Sequence, residues 1–222
     1  MYQQCLDIEQ PTYPRFDKLL GNANAELIFR LQHEQDPFLY LWGVQGTGKS
    51  HILQAWVGQA LARGETAIYI HPHHAPLTEL AETHDFIAID QIQDLNAEEQ
   101  AELFYLFNQI RNNHRGHLLL AADTPPSQLI LREDLRTRMA FCLVYEVQPL
   151  SSDEKIILLN DLAKTRQMGI DKQVLTYLVN NWYTDLPSLL NIFNELANYS
   201  LIMKKKINLD LLRQLLKQQD KP

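Results

Sequence analysis

The sequence has 222 residues, of which 45% are hydrophobic, a composition that excludes an intrinsically disordered chain and allows one domain or two small ones. A formal net charge of −7 opposes the broad positive field of non-specific DNA-binding proteins, so any contact with nucleic acid should be local or made through a partner. Two isolated cysteines, Cys5 and Cys142, and the lack of a long apolar run or a signal-peptide pattern indicate a cytoplasmic protein without a membrane segment.

Short apolar runs alternate with amphipathic stretches between residues 37 and 147, a pattern typical of a parallel sheet with crossover helices. The five strand candidates are Phe38–Trp42, Thr66–Ile70, Phe86–Asp90, His117–Ala122 and Cys142–Val147. Gly64 marks the predicted end of the helix after the first strand. A second long helix should begin with a capping box formed by Asn96 and Glu99. Its predicted sheet-facing residues are Leu103, Phe104, Phe107 and Ile110.

The character of the chain changes after Gln148-Pro149-Leu150, where Ser151 and Glu154 form another predicted capping box and every later apolar pattern has the helical period. Four helices are predicted near residues 151–166, 171–182, 186–202 and 207–218. The predicted organisation is therefore an N-terminal peptide over residues 1–12, an α/β nucleotide-binding domain over residues 13–149 and a small all-helical domain over residues 150–222.

A complete G-x-x-x-x-G-K-S pattern follows the first predicted strand and opens a helix. Together with the next residue, it contributes Gly43, Val44, Gln45, Gly46, Thr47, Gly48, Lys49, Ser50 and His51 to the predicted nucleotide site. The glycines let backbone N–H groups turn toward phosphate, and the helix N-terminus adds a partial positive charge. Lys49 should reach the β- and γ-phosphates, while the Ser50 hydroxyl should bind Mg²⁺. The pattern predicts a site for ADP or ATP with Mg²⁺, and a chance glycine-rich turn is the weaker alternative.

The second part of such a site is an acidic residue at the end of an apolar strand, and Asp90 occupies that place after Phe86-Ile87-Ala88-Ile89. Asp90 should hold a magnesium-bound water. The next residue is Gln91, where ATPases of this architecture usually carry a second acid. Because an amide can orient a water molecule but cannot accept its proton, we expect weak or no ATP hydrolysis by this protein alone.

Two further positions have both a functional and a structural interpretation. Asp123 ends the fourth predicted strand, where it could sense the γ-phosphate or simply cap the turn at Pro125-Pro126. Arg136 and Arg138 precede the fifth strand on a charged segment, where most side chains are solvated. An arginine there can also project toward the nucleotide of a neighbouring molecule, and its planar fork would stabilise charge on the transferring phosphoryl group.

Several segments resemble the AAA+ core of the bacterial replication initiator DnaA and, more closely, the Hda family of shorter DnaA homologues that inactivate DnaA. The segments that carry the resemblance are Phe16-Asp17, Leu20-Gly21-Asn22-Ala23-Asn24, Leu39-Tyr40-Leu41-Trp42-Gly43, Ile89-Asp90-Gln91-Ile92, Asp123-Thr124-Pro125-Pro126-Ser127-Gln128-Leu129, Leu135-Arg136-Thr137-Arg138 and Gln148-Pro149-Leu150-Ser151-Ser152-Asp153-Glu154-Lys155. A phosphate loop alone is generic, whereas the segments at 123–129 and 148–155 are far more particular to these proteins. The likeness extends over nearly the whole chain.

The resemblance implies an AAA+ P-loop core with a five-stranded parallel sheet, followed by a helical lid. It makes Arg138 an arginine finger and Asp123 the sensor-one residue, and it places Leu20 at the adenine pocket. It also implies DnaA as the partner whose bound ATP is hydrolysed. Since the chain ends soon after the expected lid, we expect it to lack the DNA-reading helix-turn-helix domain of DnaA. The resemblance does not decide whether the protein forms a homo-oligomer.

Proteins of the Hda family carry a short N-terminal peptide that docks on the DNA polymerase sliding clamp. Here Gln3, Leu6 and Ile8 have a spacing suited to an extended peptide that fills a pocket. The residue after the glutamine is usually aliphatic in the family, but it is Gln4 in this chain. A flexible terminal tail is the alternative interpretation. If the peptide binds the clamp, the protein reaches DNA mainly through the clamp.

The lid departs from the family pattern at the start of its third helix, where an arginine called sensor two is expected. The alignment places Pro187 at that position, and proline suits a first helical turn but brings no charge to the phosphates. The preference between ADP and ATP is therefore left open.

Three classes of function compete at this stage. The leading interpretation is a regulator that binds nucleotide, docks on the clamp and promotes hydrolysis of DnaA-bound ATP. A helicase loader or transposition helper shares the core but should carry a basic DNA-facing surface, which the charge of −7 opposes. A small-molecule kinase would need a substrate pocket and would have no use for Gln148-Pro149 before a four-helix lid.

Overall fold

The computed structural model describes residues 13–14, 16, 22–34, 36–72, 77, 79–181, 185–203 and 205–219. Contacts between Cα atoms divide the chain into two units. The first unit continues to Val147, and the second begins at Gln148 and also includes Asn22. Within the described part of the chain, no helix is long and apolar enough to cross a membrane.

The first unit contains a five-stranded parallel sheet, as the sequence predicted. Its strands are β1 (Phe38–Trp42), β2 (Ala67–Ile70), β3 (Phe86–Ile89), β4 (His117–Ala122) and β5 (Leu143–Glu146), in the order β2-β3-β4-β1-β5. The predicted limits were one residue too long at Thr66, Asp90, Cys142 and Val147. At Asp90 the reason is geometric, because the next residue, Gln91, has a φ of 46° and turns the chain out of the sheet.

Helices cover both faces of the sheet, which explains why β1, β3 and β4 are almost entirely buried, whereas the edge strand β5 is largely exposed. The helices of the first unit are α1 (Ala25–His33), α2 (Lys49–Ala62), α3 (Leu80–Thr83), α4 (Ala97–Asn113) and α5 (Glu133–Met139). One core cluster joins α1 and α2 to alternate residues of β1 and β4, such as Leu41 and Leu119. The other joins α4 and α5 to the intervening residues, such as Tyr40 and Leu120.

The start of α4 is the predicted capping box. The Asn96 side chain accepts hydrogen bonds from the backbone N–H groups of Glu98 and Glu99, and the Glu99 carboxylate accepts one from Asn96 N at 2.8 Å. Of the predicted sheet-facing residues, Leu103, Phe107 and Ile110 are buried, whereas Phe104 is only partly buried. Leu106, which the helical pattern did not single out, is buried as well.

The second unit is a helical bundle, which we call the lid. Its helices in the described residues are α6 (Ser152–Thr165), α7 (Lys172–Asn181), α8 (Leu186–Met203) and α9 (Leu209–Gln219). The predicted capping box at Ser151 and Glu154 is present. Glu154 also accepts a hydrogen bond from Asn22 N at 2.8 Å, and these bonds to the charged carboxylate lower its pKa.

Candidate functional site

The predicted phosphate loop lies between the end of β1 and the first turn of α2. Gly46 and Gly48 have φ angles of 84° and 98°, a region that side chains other than glycine rarely enter. Gly43 is needed for a different reason, because a Cβ atom there would lie 2.6 Å from the backbone oxygen of Val147. Gly43 therefore allows the loop to pass close to the backbone of Val147, and Gly46 and Gly48 allow its tight turns.

Lys49 is the buried cation of the loop, with a relative exposure of 7%. Its ammonium donates hydrogen bonds to the backbone oxygens of Gly43 at 2.6 Å and Val44 at 3.2 Å. It also forms an ion pair with the carboxylate of Asp123, at 2.9 Å. The ammonium thus faces three oxygen atoms, and an anionic ligand would compete with the carboxylate for the same positive charge.

The sheet brings Asp123 to the loop because β4 pairs directly with β1. The register aligns Trp42 with Ala122, so Gly43 and Asp123 follow at the same edge. Tyr40 helps to anchor this segment, since its buried hydroxyl donates a hydrogen bond to Thr124 O at 2.7 Å. Burial is the main cause of the raised pKa of Tyr40. No hydrogen bond joins the Asp123 carboxylate to the turn at Pro125-Pro126 in the described residues, and the role of Asp123 as a sensor stays a prediction.

Asp90 lies at the end of β3 and is almost completely buried, with a relative exposure of 1%. One of its carboxylate oxygens accepts a hydrogen bond from Gln91 N at 2.9 Å. The other accepts one from the Tyr69 hydroxyl at 2.8 Å. A buried, oriented carboxylate of this kind is suited to accept a hydrogen bond from a magnesium-bound water.

Tyr69 is a residue of the site that the sequence analysis missed. Burial is the largest cause that raises its pKa to about 12, followed by the charge of Asp90 and the hydrogen bond to that carboxylate. The Gln54 and Ser50 side chains also reach the hydroxyl and oppose the rise. The sequence shows a tyrosine one residue before the end of an apolar strand. Its role beside Asp90 becomes clear once the pairing of β2 with β3 is known.

The residues of this edge fit a magnesium nucleotide. A loop with positive-φ glycines turns N–H groups toward one point, as phosphate requires, and Lys49 offers a buried ammonium. Ser50 and Asp90 provide a hydroxyl and a carboxylate, which are the oxygen donors that Mg²⁺ prefers. His51, the last predicted residue of the loop, is exposed on α2.

Arg138 lies on α5, where it packs against α4. Its guanidinium carbon is 5.2 Å from the centre of the Phe104 ring, within the range of a cation–π contact. Its Nε atom is buried and has no hydrogen-bond partner among the described residues. Arg136, on the same helix, is exposed and lies 4.0 Å from the carboxylate of Glu133. Arg138 is therefore held by an aromatic ring, with at least one of its donors unused.

Four of the predicted site residues lie outside the part of the chain that the structure describes: Gln3, Leu6, Ile8 and Leu20. Pro187 lies in the first turn of α8, where its missing N–H is not needed, and Asp185 accepts a hydrogen bond from Ser188 N at 2.8 Å.

Comparison with protein families gives two matches that together extend over most of the chain. A model of the bacterial DnaA ATPase domain matches residues 22–146, and a model of the Hda lid domain matches residues 152–216. A protein of Haemophilus influenzae is 26% identical over 223 residues, which cover 95% of this chain and 96% of the relative. The two family matches correspond to the α/β unit and to the lid.

Solved structures show the same fold. Domain III of the replication initiation protein DnaA from Thermotoga maritima superposes with a TM-score of 0.81 at 21% identity, covering 96% of this chain and 99% of that domain. AMPPCP-bound DnaA from Aquifex aeolicus superposes with a TM-score of 0.71 at 22% identity, covering 86% of this chain and 67% of that one. The AAA+ architecture with a helical lid is therefore confirmed.

Proposed function

Since the chain belongs to the family of bacterial DnaA ATPase domains and carries a lid of the Hda type, we propose that it is a nucleotide-binding regulator of replication initiation that inactivates DnaA. In this proposal the protein holds ADP or ATP, docks on the sliding clamp and promotes hydrolysis of the ATP bound to DnaA. The observation that carries the proposal is the combination of a complete phosphate loop with glutamine, instead of a second acid, at position 91.

Nucleotide binding is supported by the geometry of the loop and by the AMPPCP-bound DnaA relative. Lys49 would exchange its contact with Asp123 for one with phosphate. Ser50 and Asp90 would hold Mg²⁺, which would neutralise part of the phosphate charge when bound. The residues of this chain would orient the nucleotide and hold it.

Weak hydrolysis by the protein itself is supported by Gln91. Its φ and ψ angles are both 46°, and its backbone N–H is used to hold Asp90. The amide of its side chain has no basic site that could take a proton from an attacking water. The nucleotide would therefore act as a structural ligand, and its hydrolysis would not be the main activity.

Arg138 is the residue that we propose to act on DnaA. Arginine offers five N–H donors in a planar fork, and such a fork can contact two phosphate oxygens together. The aromatic support of Phe104 is compatible with a guanidinium whose terminal N–H groups contact another molecule, whereas the buried Nε faces its own chain. An arginine provided in trans typically accelerates phosphoryl transfer by about a thousandfold or more.

Gln3, Leu6 and Ile8 are the proposed contacts with the sliding clamp. The net charge of −7 supports an indirect route to DNA, because a protein with this charge gains little from direct attraction to phosphate. Docking on the clamp would raise the local concentration of the protein near DnaA on DNA.

The test is an assay of ATP hydrolysis by DnaA with clamp loaded on DNA, with and without this protein. We expect hydrolysis to be stimulated by the wild type and to fall to the unstimulated rate when Gln3, Leu6 and Ile8 are all replaced by alanine. Clamp binding by both proteins is measured on immobilised clamp, and nucleotide binding serves as the control for folding. If the wild type leaves DnaA hydrolysis unchanged although it binds the clamp, the proposed function is wrong.

A further inference from the structure

The hydroxyl of Tyr69 lies between the two elements that carry the proposed magnesium ligands. β2 and β3 are adjacent and parallel, and their register pairs Tyr69 with Ala88. Asp90 follows Ala88 by two residues, so the chain brings both side chains to the side of the sheet that α2 covers. Ser50 belongs to the first turn of that helix.

The contacts of the hydroxyl join these elements. It donates a hydrogen bond to Asp90 at 2.8 Å, and it lies near enough to the Ser50 and Gln54 side chains of α2 for both to lower its pKa. The aromatic ring packs within the core cluster beneath α2. One polar atom on a partly buried ring thus connects a strand end with a carboxylate whose other hydrogen bond among the described residues comes from the N–H of Gln91.

We propose that Tyr69 is the positioning residue that sets the magnesium-dependent part of nucleotide affinity, because its hydroxyl holds the Asp90 carboxylate in one orientation at the edge where α2 begins. The inference rests on the proposed nucleotide site. Without the hydroxyl, Asp90 keeps the N–H of Gln91 but loses the other of its two donors among the described residues, so one carboxylate oxygen is no longer fixed in place. Ligand sites that lose such a supporting hydrogen bond typically bind metal about tenfold to a hundredfold more weakly.

Tyr69→Phe is the variant that tests the proposal, since it removes one oxygen and keeps the ring in the core. Titration calorimetry gives the Kd for ADP in EDTA and in Mg²⁺, and the Kd in EDTA divided by the Kd in Mg²⁺ measures the contribution of the metal. We expect Tyr69→Phe to lower this ratio by about tenfold while the Kd in EDTA stays unchanged. Tyr105→Phe, on the exposed side of α4, makes the same chemical change away from the site and should keep the wild-type ratio.

A double-mutant cycle shows whether Tyr69 acts through Asp90. In an Asp90→Asn background, Tyr69→Phe should have little further effect on the ratio, because the carboxylate that it orients is already absent. Equal loss of affinity in Mg²⁺ and in EDTA would indicate only a structural role and overturn the proposal. An unchanged ratio in Tyr69→Phe would overturn it as well. If ADP binding by the wild type is itself insensitive to Mg²⁺, the magnesium site and this inference are both wrong, whereas nucleotide binding stands.

Discussion

The phosphate loop and helix α5 hold their cations in different ways. Lys49 is buried and faces three oxygen atoms of its own chain, at 2.6, 3.2 and 2.9 Å. Arg138 is supported by the ring of Phe104 and keeps a buried Nε without a partner among the described residues. Buried polar groups are normally paired, so an unpaired donor needs an explanation, whereas a paired one does not.

The difference separates a residue that acts within its chain from one that we propose to act on another molecule. The ammonium of Lys49 has partners that keep it in place until an anion arrives. The guanidinium of Arg138 has an aromatic platform that fixes its position but does not use its hydrogen-bonding capacity. Three changes test this comparison at one end or the other, and a fourth tests the lid.

The largest effect is expected for Arg138→Ala. Stimulation of DnaA's ATP hydrolysis should fall by about a thousandfold, and Arg138→Lys should restore little because an ammonium cannot present a planar fork. Arg136→Ala is the matched control on the same helix and should stimulate normally. The measurement is DnaA hydrolysis on clamp-loaded DNA, with nucleotide affinity and the thermal midpoint unchanged in all variants. If only Arg136→Ala loses stimulation, the active arginine is Arg136.

Lys49→Ala removes the buried cation of the loop and should weaken binding of ADP by at least about thirtyfold, as loss of a buried charged partner usually does. Lys164→Ala, which removes an exposed lysine paired with Asp161 on the lid, should leave the affinity unchanged. Titration calorimetry measures the Kd for ADP of both variants and of the wild type. Equal Kd values for Lys49→Ala and the wild type would show that the loop does not bind phosphate.

Asp123→Asn keeps a polar side chain but removes the charge that pairs with Lys49. Nucleotide should bind up to about fivefold more tightly, because the ammonium is released and one negative charge no longer faces the phosphates. The carboxylate is 47% exposed, and water therefore limits the size of the effect. Weaker binding by this variant would mean that Asp123 contacts the nucleotide favourably.

The smallest effect concerns the lid and its pH dependence. Glu154→Gln should lower the free energy of unfolding by about 0.5–1 kcal/mol at pH 7, through loss of a charged capping acceptor. The pKa of Glu154 is lowered in the folded protein, so its contribution is present above the ordinary value of 4.5 and is lost as the pH falls through the folded-state value. Denaturant unfolding should therefore give a smaller difference in unfolding free energy between the wild type and Glu154→Gln at pH 3 than at pH 7. Asp161→Asn is an exposed change on the same helix, and its difference in unfolding free energy from the wild type should not become smaller at pH 3 in this way.

The fold was largely predictable because its signals are local. Short, mainly apolar runs marked the five strands, and the capping boxes marked the first residues of α4 and α6. These patterns depend on chain neighbours, which the sequence displays directly. The phosphate loop was recognisable for the same reason.

The contacts that define the site depend on strand order, which the sequence does not display. Lys49 meets Asp123 because β4 lies beside β1, and Tyr69 meets Asp90 because β2 lies beside β3. Chain order alone did not indicate these pairings. The contact between Arg138 and Phe104 depends in the same way on how α5 packs against α4.

The contact between Gly43 and the backbone oxygen of Val147 limits how this position can change during evolution. Any side chain would bring a carbon atom to 2.6 Å from that oxygen, whether or not a nucleotide is bound. Relatives that have lost nucleotide binding should therefore still carry glycine here, provided that they keep the same sheet. Gly48 is free of such a restriction, since no atom lies within 4 Å of a Cβ placed there, and the positive φ angles of Gly46 and Gly48 shape the loop itself. Substitutions at those two glycines would be the earlier sign that a homologous loop no longer holds phosphate.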